Sequence, residues 1–192
     1  MPQAATLSER DVKRALSFCA TRRYAERDRA IILTSIYAGL RAKELAALDW
    51  GDVFDEAGAV RSQFTLSAAQ TKGSKSRTVY VSGALRSALR RYAKTENTST
   101  IGLDERRPLF PSQRNSRFNA NTMCQLLLGI YKGCGLSTAS SHSGRRTFIT
   151  RLAAQGVSVR VLAELAGHSS IQTTQRYIDV NSEQMSRAVE LV

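Results

Sequence analysis

Two histidines and one tyrosine stand at spacings that would suit chemistry on a phosphate. His168 lies nine residues before Tyr177 within AGHSSIQTTQRYIDV (166 to 180), and His142 lies three residues before Arg145 in HSGRRTF. The chain has only these two histidines among its 192 residues. A phenol hydroxyl is an oxygen nucleophile once a base takes its proton, and imidazole exchanges protons near neutral pH. The pattern indicates a phosphoryl-transfer site with Tyr177 as the nucleophile.

Cationic residues in motif-like settings could supply the rest of such a site. Arg41 follows Gly39 and Leu40, with Glu44 three residues on, and Lys72 lies in the turn TKGSK. A guanidinium holds two phosphate oxygens through parallel hydrogen bonds and keeps its charge. Each residue also has a simpler interpretation. Arg41 and Glu44 could form an ordinary surface pair worth about 0.2–0.5 kcal/mol, Lys72 could be solvated, and Tyr177 could be a core residue.

The charge of the chain favours a polyanionic partner. Lys and Arg number 28 against 16 Asp and Glu, so the formal net charge is +12. Cations that neutralise phosphates release counterions, which favours nucleic acid as the partner. A solubilising surface or binding to anionic lipid would give the same composition, and both remain open at this stage.

Several classes of protein are disfavoured. No run of about 18 apolar residues occurs, so no membrane segment is expected, and the N-terminus lacks a signal-peptide pattern. The three cysteines do not form a CxxC pair, and with two histidines they make a poor metal-binding set. We therefore expect a cytoplasmic protein without a metal or another cofactor and without a membrane partner.

The coarse pattern predicts an α+β fold that is mostly helical. Ser8 is placed to cap a first helix, the apolar stretch 29 to 40 predicts a buried helix that ends near Gly39, and Ser82 is placed to cap another helix. Residues 59 to 81 predict two or three strands with a hairpin. Later helices are expected around 123–131, around 143–155 with Ser140 or Ser141 as its cap, around 158–166 and around 171–178, and a last amphipathic segment is expected at 182–192.

Four ordered motifs resemble the catalytic domain of the tyrosine recombinase (phage integrase) family. They are AGLRAKEL (38 to 45), TKGSKSRTVYV (71 to 81), HSGRRTF (142 to 148) and LAGHSSIQTTQRYIDV (165 to 180). The resemblance covers essentially the whole chain and implies that family's fold, with one small antiparallel sheet packed on helices. It departs at Gly144, where an aliphatic residue is more common, and at Arg146, where histidine is frequent; altered packing is expected from both.

The resemblance implies a role for each cationic motif residue. Arg41 and Arg145 resemble the two arginines that clamp the scissile phosphate. Lys72, rather than Lys75, resembles the hairpin lysine that acts as general acid toward the leaving 5′ oxygen. Glu44 matches an acidic position that supports the arginines.

The histidines and the tyrosine also match family positions. His142 resembles the first motif histidine, which contacts the phosphate and helps to handle the tyrosine proton. His168 resembles the second, a hydrogen-bond donor to the transition state. Tyr177 resembles the nucleophile that forms a 3′-phosphotyrosyl bond.

A recombinase of this kind implies double-stranded DNA as substrate and needs neither ATP nor a metal. Family members assemble four protomers, often through the C-terminal helix, so a homotetramer on DNA through 182–192 is expected. A nucleoid-associated protein of a bacterium, phage or mobile element would fit. Residues 1–192 are expected to form a single catalytic domain, without the N-terminal core-binding domain that many relatives carry.

Three alternatives remain. Residues 158 to 178 also resemble a helix-turn-helix, which would make the chain a DNA-binding regulator without enzymatic activity. A recombinase with weakened catalysis could serve as an accessory factor. A type IB topoisomerase shares the tyrosine chemistry but relaxes supercoils, although the small size of the chain and the motif AGLRAKEL favour a recombinase.

Overall fold

The computed structural model describes residues 4–71, 75–96, 104–178, 185–186 and 189–190. Within them, four helices precede the sheet, at Glu9–Ala20 (α1), Ala25–Ala38 (α2), Ala42–Ala47 (α3) and Trp50–Val53 (α4). Two strands, Gln63–Leu66 (β1) and Arg77–Tyr80 (β2), lead to helix Gly83–Thr95 (α5). The remaining helices are Ala120–Gly133 (α6), Ser143–Ala154 (α7), Val159–Ala166 (α8) and Ile171–Gln175 (α9).

Short polar side chains begin several of these helices. The Ser8 hydroxyl accepts from the Asp11 N–H while the Asp11 carboxylate accepts from Ser8, so both ends of a capping box are present at α1. At α5 the Ser82 hydroxyl is the cap and accepts from the Leu85 N–H. The two caps confirm the helix starts predicted from sequence. Each one satisfies an N–H that has no partner inside its own helix.

Helix α2 lies at the centre of the fold. It packs against α1, α3, α5 and α7, and apolar side chains on several of its sides are buried, as the uniformly apolar sequence predicted. Its first turn carries Arg27 and Asp28, both buried. The Asp28 carboxylate accepts from both Arg27 and Arg22, so the buried charges are paired and the helix can occupy the core.

The sheet is a two-stranded antiparallel ribbon. Gln63 pairs with Tyr80 and Leu66 pairs with Arg77. Phe64, Leu66 and Val79 are buried while their neighbours are more exposed, which is the alternation of a ribbon with one face on the core. The prediction left two or three strands open, and the described residues of this region contain two.

Some local predictions were wrong in detail. No sequence pattern predicted α4, because four residues are too few to show a helical period. Trp50 of α4 stacks on Phe54, with ring centroids 4.2 Å apart. The helix expected over 171–178 ends at Gln175. Tyr177 therefore lies just beyond a helix rather than within one. Most of the last amphipathic segment, 182–192, lies outside the described residues.

Candidate active site

Two glycine-terminated helix ends form the floor of the site. Gly39 ends α2 and Gly167 ends α8, and both adopt the left-handed conformation with φ of 63°. Glycine takes this conformation without the steric cost that a Cβ would bring. The last carbonyls of each helix have no partner inside the helix and carry the negative end of its dipole. Each end is therefore a natural acceptor for a guanidinium.

Arg145 joins the two helix ends. It lies in the first turn of α7 and is only 2% exposed. Its Nη1 donates to Gly39 O at 2.7 Å, and its Nη2 donates to Ala166 O. Burial, followed by the nearby charge of Arg41, lowers the pKa of Arg145 to about 9. Because this value lies above neutral pH, the guanidinium stays charged, and two fixed carbonyls set its orientation.

A fully buried carboxylate holds Arg41 beside Arg145. Glu44 Oε1 accepts from Arg41 Nη1 at 2.8 Å, and Oε2 accepts from the Arg41 backbone N–H at 2.8 Å. Oε2 also accepts from Arg77 Nη2 at 2.9 Å. Burial raises the pKa of Glu44, but Arg77, the backbone N–H and Arg41 outweigh it and hold that pKa below its usual value. Glu44 is thus the buried centre of a partly buried network with two arginines, unlike the exposed ion pair that the i,i+3 spacing alone also allowed.

His168 and Tyr177 face each other across the turn that follows α8. Their rings stack with centroids 5.7 Å apart and an interplanar angle of 21°. His168 Nδ1 lies 2.8 Å from the hydroxyl of Thr174, which is fully buried. Burial, followed by the charges of Arg145 and Arg41, lowers the pKa of His168 to about 4. The ring is therefore neutral at neutral pH and has one N–H to donate.

A cavity of about 390 Å³ opens beside these groups. Its lining includes Arg41, Arg77, Lys75 and His168, together with several hydroxyl groups and two carboxylates. Glu44, one of the carboxylates, is neutralised by two guanidiniums. The cavity is thus polar and cationic, which suits an anionic group such as a phosphate.

The comparison with known protein families agrees with the motifs. The model of the phage integrase family matches residues 5–184. The chain belongs to this family. The resemblance seen in the four motifs is thereby confirmed, and so is the predicted α+β fold of a recombinase catalytic domain.

Individual relatives and solved structures agree with this assignment. The chain is 31% identical over 192 residues to the tyrosine recombinase XerA of Thermococcus kodakarensis, covering 99% of this chain and 62% of the relative. The crystal structure of XerA recombinase is 26% identical, with a TM-score of 0.74 over 100% of this chain and 63% of that one. The Tn1549 transposon integrase, solved in complex with a circular intermediate DNA, shares the fold at 20% identity and a TM-score of 0.75, over 100% and 67%. The chain spans about three fifths of the XerA length.

The structure places the other residues predicted for the site as follows. His142 is exposed and occupies the N-cap of α7, one residue before the helix begins, so the expectation that Ser140 or Ser141 caps the helix was wrong. It stands one turn from Arg145, as the i,i+3 spacing implied. Lys72 lies outside the described residues. Arg41, Arg145, His168 and Tyr177 are brought into one neighbourhood, with Glu44 beneath the arginines.

Two residues of the site were missed in the sequence. Arg77 and Thr174 make contacts that only folding creates, to Glu44 and His168 respectively. A signal for Arg77 did exist, because strand alternation puts it on the same face as the buried Val79. A charged residue on the inner face of a strand indicates a buried partner.

Both departures from the family pattern have a packing explanation. A Cβ at Gly144 would lie 2.2 Å from Ser35 Oγ, so glycine lets α7 approach α2 closely. Arg146 lies over the Tyr177 ring, with its Cζ 5.7 Å from the centroid, and donates from Nε to Thr6 Oγ1 at 3.2 Å. The expectation of altered packing thus fits what surrounds each residue.

Two structural features are absent from the described residues. Among them, no cluster of three or more His, Cys, Asp or Glu side chains is suited to hold a metal ion. No helix in that part of the chain has the length and apolar character needed to cross a membrane.

Proposed function

We propose that the protein is a site-specific DNA recombinase, or integrase, that cleaves and rejoins strands through a 3′-phosphotyrosyl intermediate. One observation carries the proposal: two oriented guanidiniums, Arg41 and Arg145, share a neighbourhood with the stacked pair His168 and Tyr177. A nucleophile, fixed cations and a neutral hydrogen-bond donor are what phosphoryl transfer requires.

The reaction is a pair of transesterifications. The Tyr177 hydroxyl oxygen attacks the scissile phosphorus, the bond from phosphorus to the 5′ oxygen breaks, and Tyr177 becomes joined to the 3′ phosphate. Lys72 is proposed to give a proton to the departing 5′ oxygen, and His142 to help remove the phenolic proton. Attack by a 5′ hydroxyl of another strand reverses these steps and releases Tyr177. The phosphodiester energy is conserved in the protein–DNA bond throughout.

The proposed role of the arginines follows from how they are held. Two N–H groups of Arg145 are used by helix-end carbonyls, and one nitrogen of Arg41 is used by Glu44. A guanidinium has five N–H donors, so each keeps donors for nonbridging phosphate oxygens. Because the contacts to protein are already formed, little reorganisation is needed as negative charge develops on the phosphate.

His168 is proposed to donate a hydrogen bond to the transition state. If the Thr174 hydroxyl donates to Nδ1, the remaining ring proton resides on Nε2. That N–H is then the group offered to a phosphate oxygen. Thr174 would thus select the tautomer of His168, in the way that hydrogen-bond partners orient histidines elsewhere.

Double-stranded DNA is the proposed substrate. The net charge of +12 favours it, and the Tn1549 transposon integrase with the same fold was solved with DNA. We further propose that protomers assemble as a tetramer on DNA through 182–192, in the cytoplasm of a bacterium or of a phage-carrying host. Binding should weaken steeply with added salt.

The test traps the covalent intermediate. The protein is incubated with a pool of duplexes of randomised sequence, nicked so that the cleaved strand cannot rejoin and labelled at the 5′ end of the scissile strand. We expect a labelled protein–DNA adduct on a denaturing gel that is lost in Tyr177→Phe, because the nucleophilic oxygen is removed. Tyr80→Phe, at an exposed strand tyrosine, is the matched control and should retain the adduct.

A non-enzymatic helix-turn-helix regulator would bind the pool without forming any adduct, and that outcome would contradict the proposal. The geometry gives this alternative little support. The second helix of the motif, α9, has only five residues, and its Thr174 side chain is turned inward onto His168 rather than toward a groove.

A further inference from the structure

One guanidinium in the site has both of its outer nitrogens bonded to the protein. Arg77 lies at the start of β2, and its side chain is only 7% exposed. Its Nη2 donates to Glu44 Oε2 at 2.9 Å and its Nη1 donates to Leu165 O at 2.7 Å. These two acceptors are 33 and 88 residues away in sequence. Arg77 therefore links three parts of the chain that are distant in sequence: β2, α3 with Glu44, and the end of α8.

We propose that Arg77 is a positioning residue of this site: its guanidinium joins the Glu44 carboxylate, which holds Arg41, to the helix end that carries His168. The inference rests on the proposed function and deepens it. Arg77 acts on the reacting groups through other residues, so it is distinct from the two arginines proposed to clamp the phosphate.

The first step concerns Arg41. The Glu44 carboxylate is fully buried; its Oε1 accepts from the Arg41 guanidinium, and its Oε2 accepts from the Arg77 guanidinium and the Arg41 backbone N–H. A buried carboxylate with one guanidinium removed seeks compensation from whatever donor remains. Without Arg77, the side chain of Glu44 would draw further donors from Arg41, the same donors that a phosphate needs. Arg77 thus leaves Arg41 available for the substrate.

The second step concerns the turn that carries His168. The Arg77 guanidinium donates to Leu165 O at the negative end of α8, and the Arg77 side chain passes against Gly167, where a Cβ would lie 2.4 Å from Arg77 Cδ. His168 follows immediately. Because Ala166 O in the same helix end also accepts from Arg145, Arg77 and Arg145 hold this turn from two sides.

The shape of the guanidinium is needed for both contacts. Nη1 and Nη2 diverge from one planar carbon, so one side chain reaches two acceptors at fixed geometry. Within the described part of the chain, the Nε of Arg77 is buried and has no hydrogen-bond partner. Burying that donor costs free energy. The Arg77 side chain is therefore positioned for the contacts of Nη1 and Nη2 rather than for hydrogen bonding of all its nitrogens.

The test compares four variants with a control. Arg77→Met removes the charge and keeps a long side chain against Gly167, and Arg77→Lys keeps the charge but loses the fork. Glu44→Gln and the double variant Arg77→Met/Glu44→Gln complete a double-mutant cycle. Arg86→Met is the matched control, because Arg86 is partly buried and donates to one carbonyl, Val60 O, away from the site. It changes the net charge of the chain by the same amount.

The primary measurement is the single-turnover rate of adduct formation at saturating nicked DNA, with DNA affinity measured separately. We expect Arg77→Met to slow adduct formation by about 10²-fold, as misplacement of catalytic groups by about 1 Å does. Its affinity for DNA should equal that of Arg86→Met. Arg77→Lys should recover part of the rate. The double variant should be no slower than the slower single variant, because both act on one network. A rate equal to that of Arg86→Met, or losses that multiply, would overturn the proposal.

The double variant distinguishes a folding defect from a positioning defect, because removing both partners of a buried pair disturbs the structure less than removing one. A second readout needs no catalysis. The chain has two histidines, so the His168 imidazole is assigned by NMR after comparison with His142→Gln. The residues whose charges act on it are Arg145, Arg41, Arg77 and Glu44.

Loss of the Arg77 cation should raise the pKa of His168 from about 4, whereas Arg86→Met should leave it unchanged. An unchanged His168 titration in Arg77→Met overturns the link between Arg77 and His168. If the wild-type protein forms no adduct at all, the proposed function fails, and the His168 titration still decides whether Arg77 controls this turn.

Discussion

The two helix ends that hold Arg145 have the same backbone conformation but different support. The Gly39 end lies between the buried residues Ala38 and Leu40, and a Cβ there would lie 2.5 Å from the Phe148 ring. The Gly167 end is exposed, and its neighbour is the Arg77 side chain. One end is fixed by apolar packing and the other by charge and hydrogen bonds. Arg145 therefore connects a rigid part of the core to a polar turn that carries His168.

This difference suggests a division of labour. Close-packed interiors resist displacement, so the Gly39 end can serve as a fixed reference for Arg145. The Gly167 end is held by a few polar contacts, whose strength depends on charge and on pH. Changes at the first end should act mainly on stability, and changes at the second mainly on activity.

The largest effect on cleavage is expected when Arg145 no longer joins the two helix ends. Arg145→Lys keeps a positive charge, but a single ammonium cannot hold both carbonyls and still present a planar pair of donors to a phosphate. Single-turnover cleavage of nicked DNA should fall by about 10²-fold or more, as on loss of one transition-state donor. Arg151→Lys, on the same helix, is the control. Wild-type cleavage by Arg145→Lys would show that the clamp does not depend on this residue.

The glycines separate the two kinds of support. Gly39→Ala should destabilise the protein by about 2–4 kcal/mol, combining left-handed strain with a clash against a packed ring. Gly167→Ala should cost about 1–2 kcal/mol, since the Arg77 side chain can move aside, yet it should slow cleavage more per unit of stability lost. Urea denaturation and adduct formation measure the two quantities.

Gly156→Ala provides the reference for the strain alone. Gly156 also has a positive φ, of 81°, but a Cβ there meets no atom within 4 Å. The stability lost in Gly156→Ala should equal the part of the loss in Gly39→Ala and Gly167→Ala that comes from backbone strain. If Gly39→Ala were no more destabilising than Gly156→Ala, the packed support inferred for the Gly39 end would be wrong.

The smallest expected effect is a dependence of stability on pH, which arises from His168 at the Gly167 end. The pKa of His168 is lowered from 6.5 to about 4 in the folded protein, so between these values the unfolded chain binds the proton and the folded chain resists it. Stability should therefore fall as pH drops from 6.5 toward 4. The melting temperature of His168→Gln should fall less over this range than that of the wild type.

Much of the fold followed from local sequence. The helix starts at Ser8 and Ser82 and the helix end at Gly39 depend on residues within a few positions of each other. These signals are readable in the chain because capping contacts span only three or four residues. The helix α4 and the end of α9 were misjudged, since short helices owe their form to tertiary packing.

The order and spacing of Arg41, His142, Arg145, His168 and Tyr177 determined the family without any coordinates, and the match over 5–184 confirms it. What only the tertiary structure decided is how these side chains are held. The carboxylate of Glu44 is shared by Arg41 and Arg77, and Arg145 reaches a carbonyl 106 residues away. Such partners are chosen by the packing of whole helices, which brings distant donors and acceptors together in a site where unpaired charge is costly.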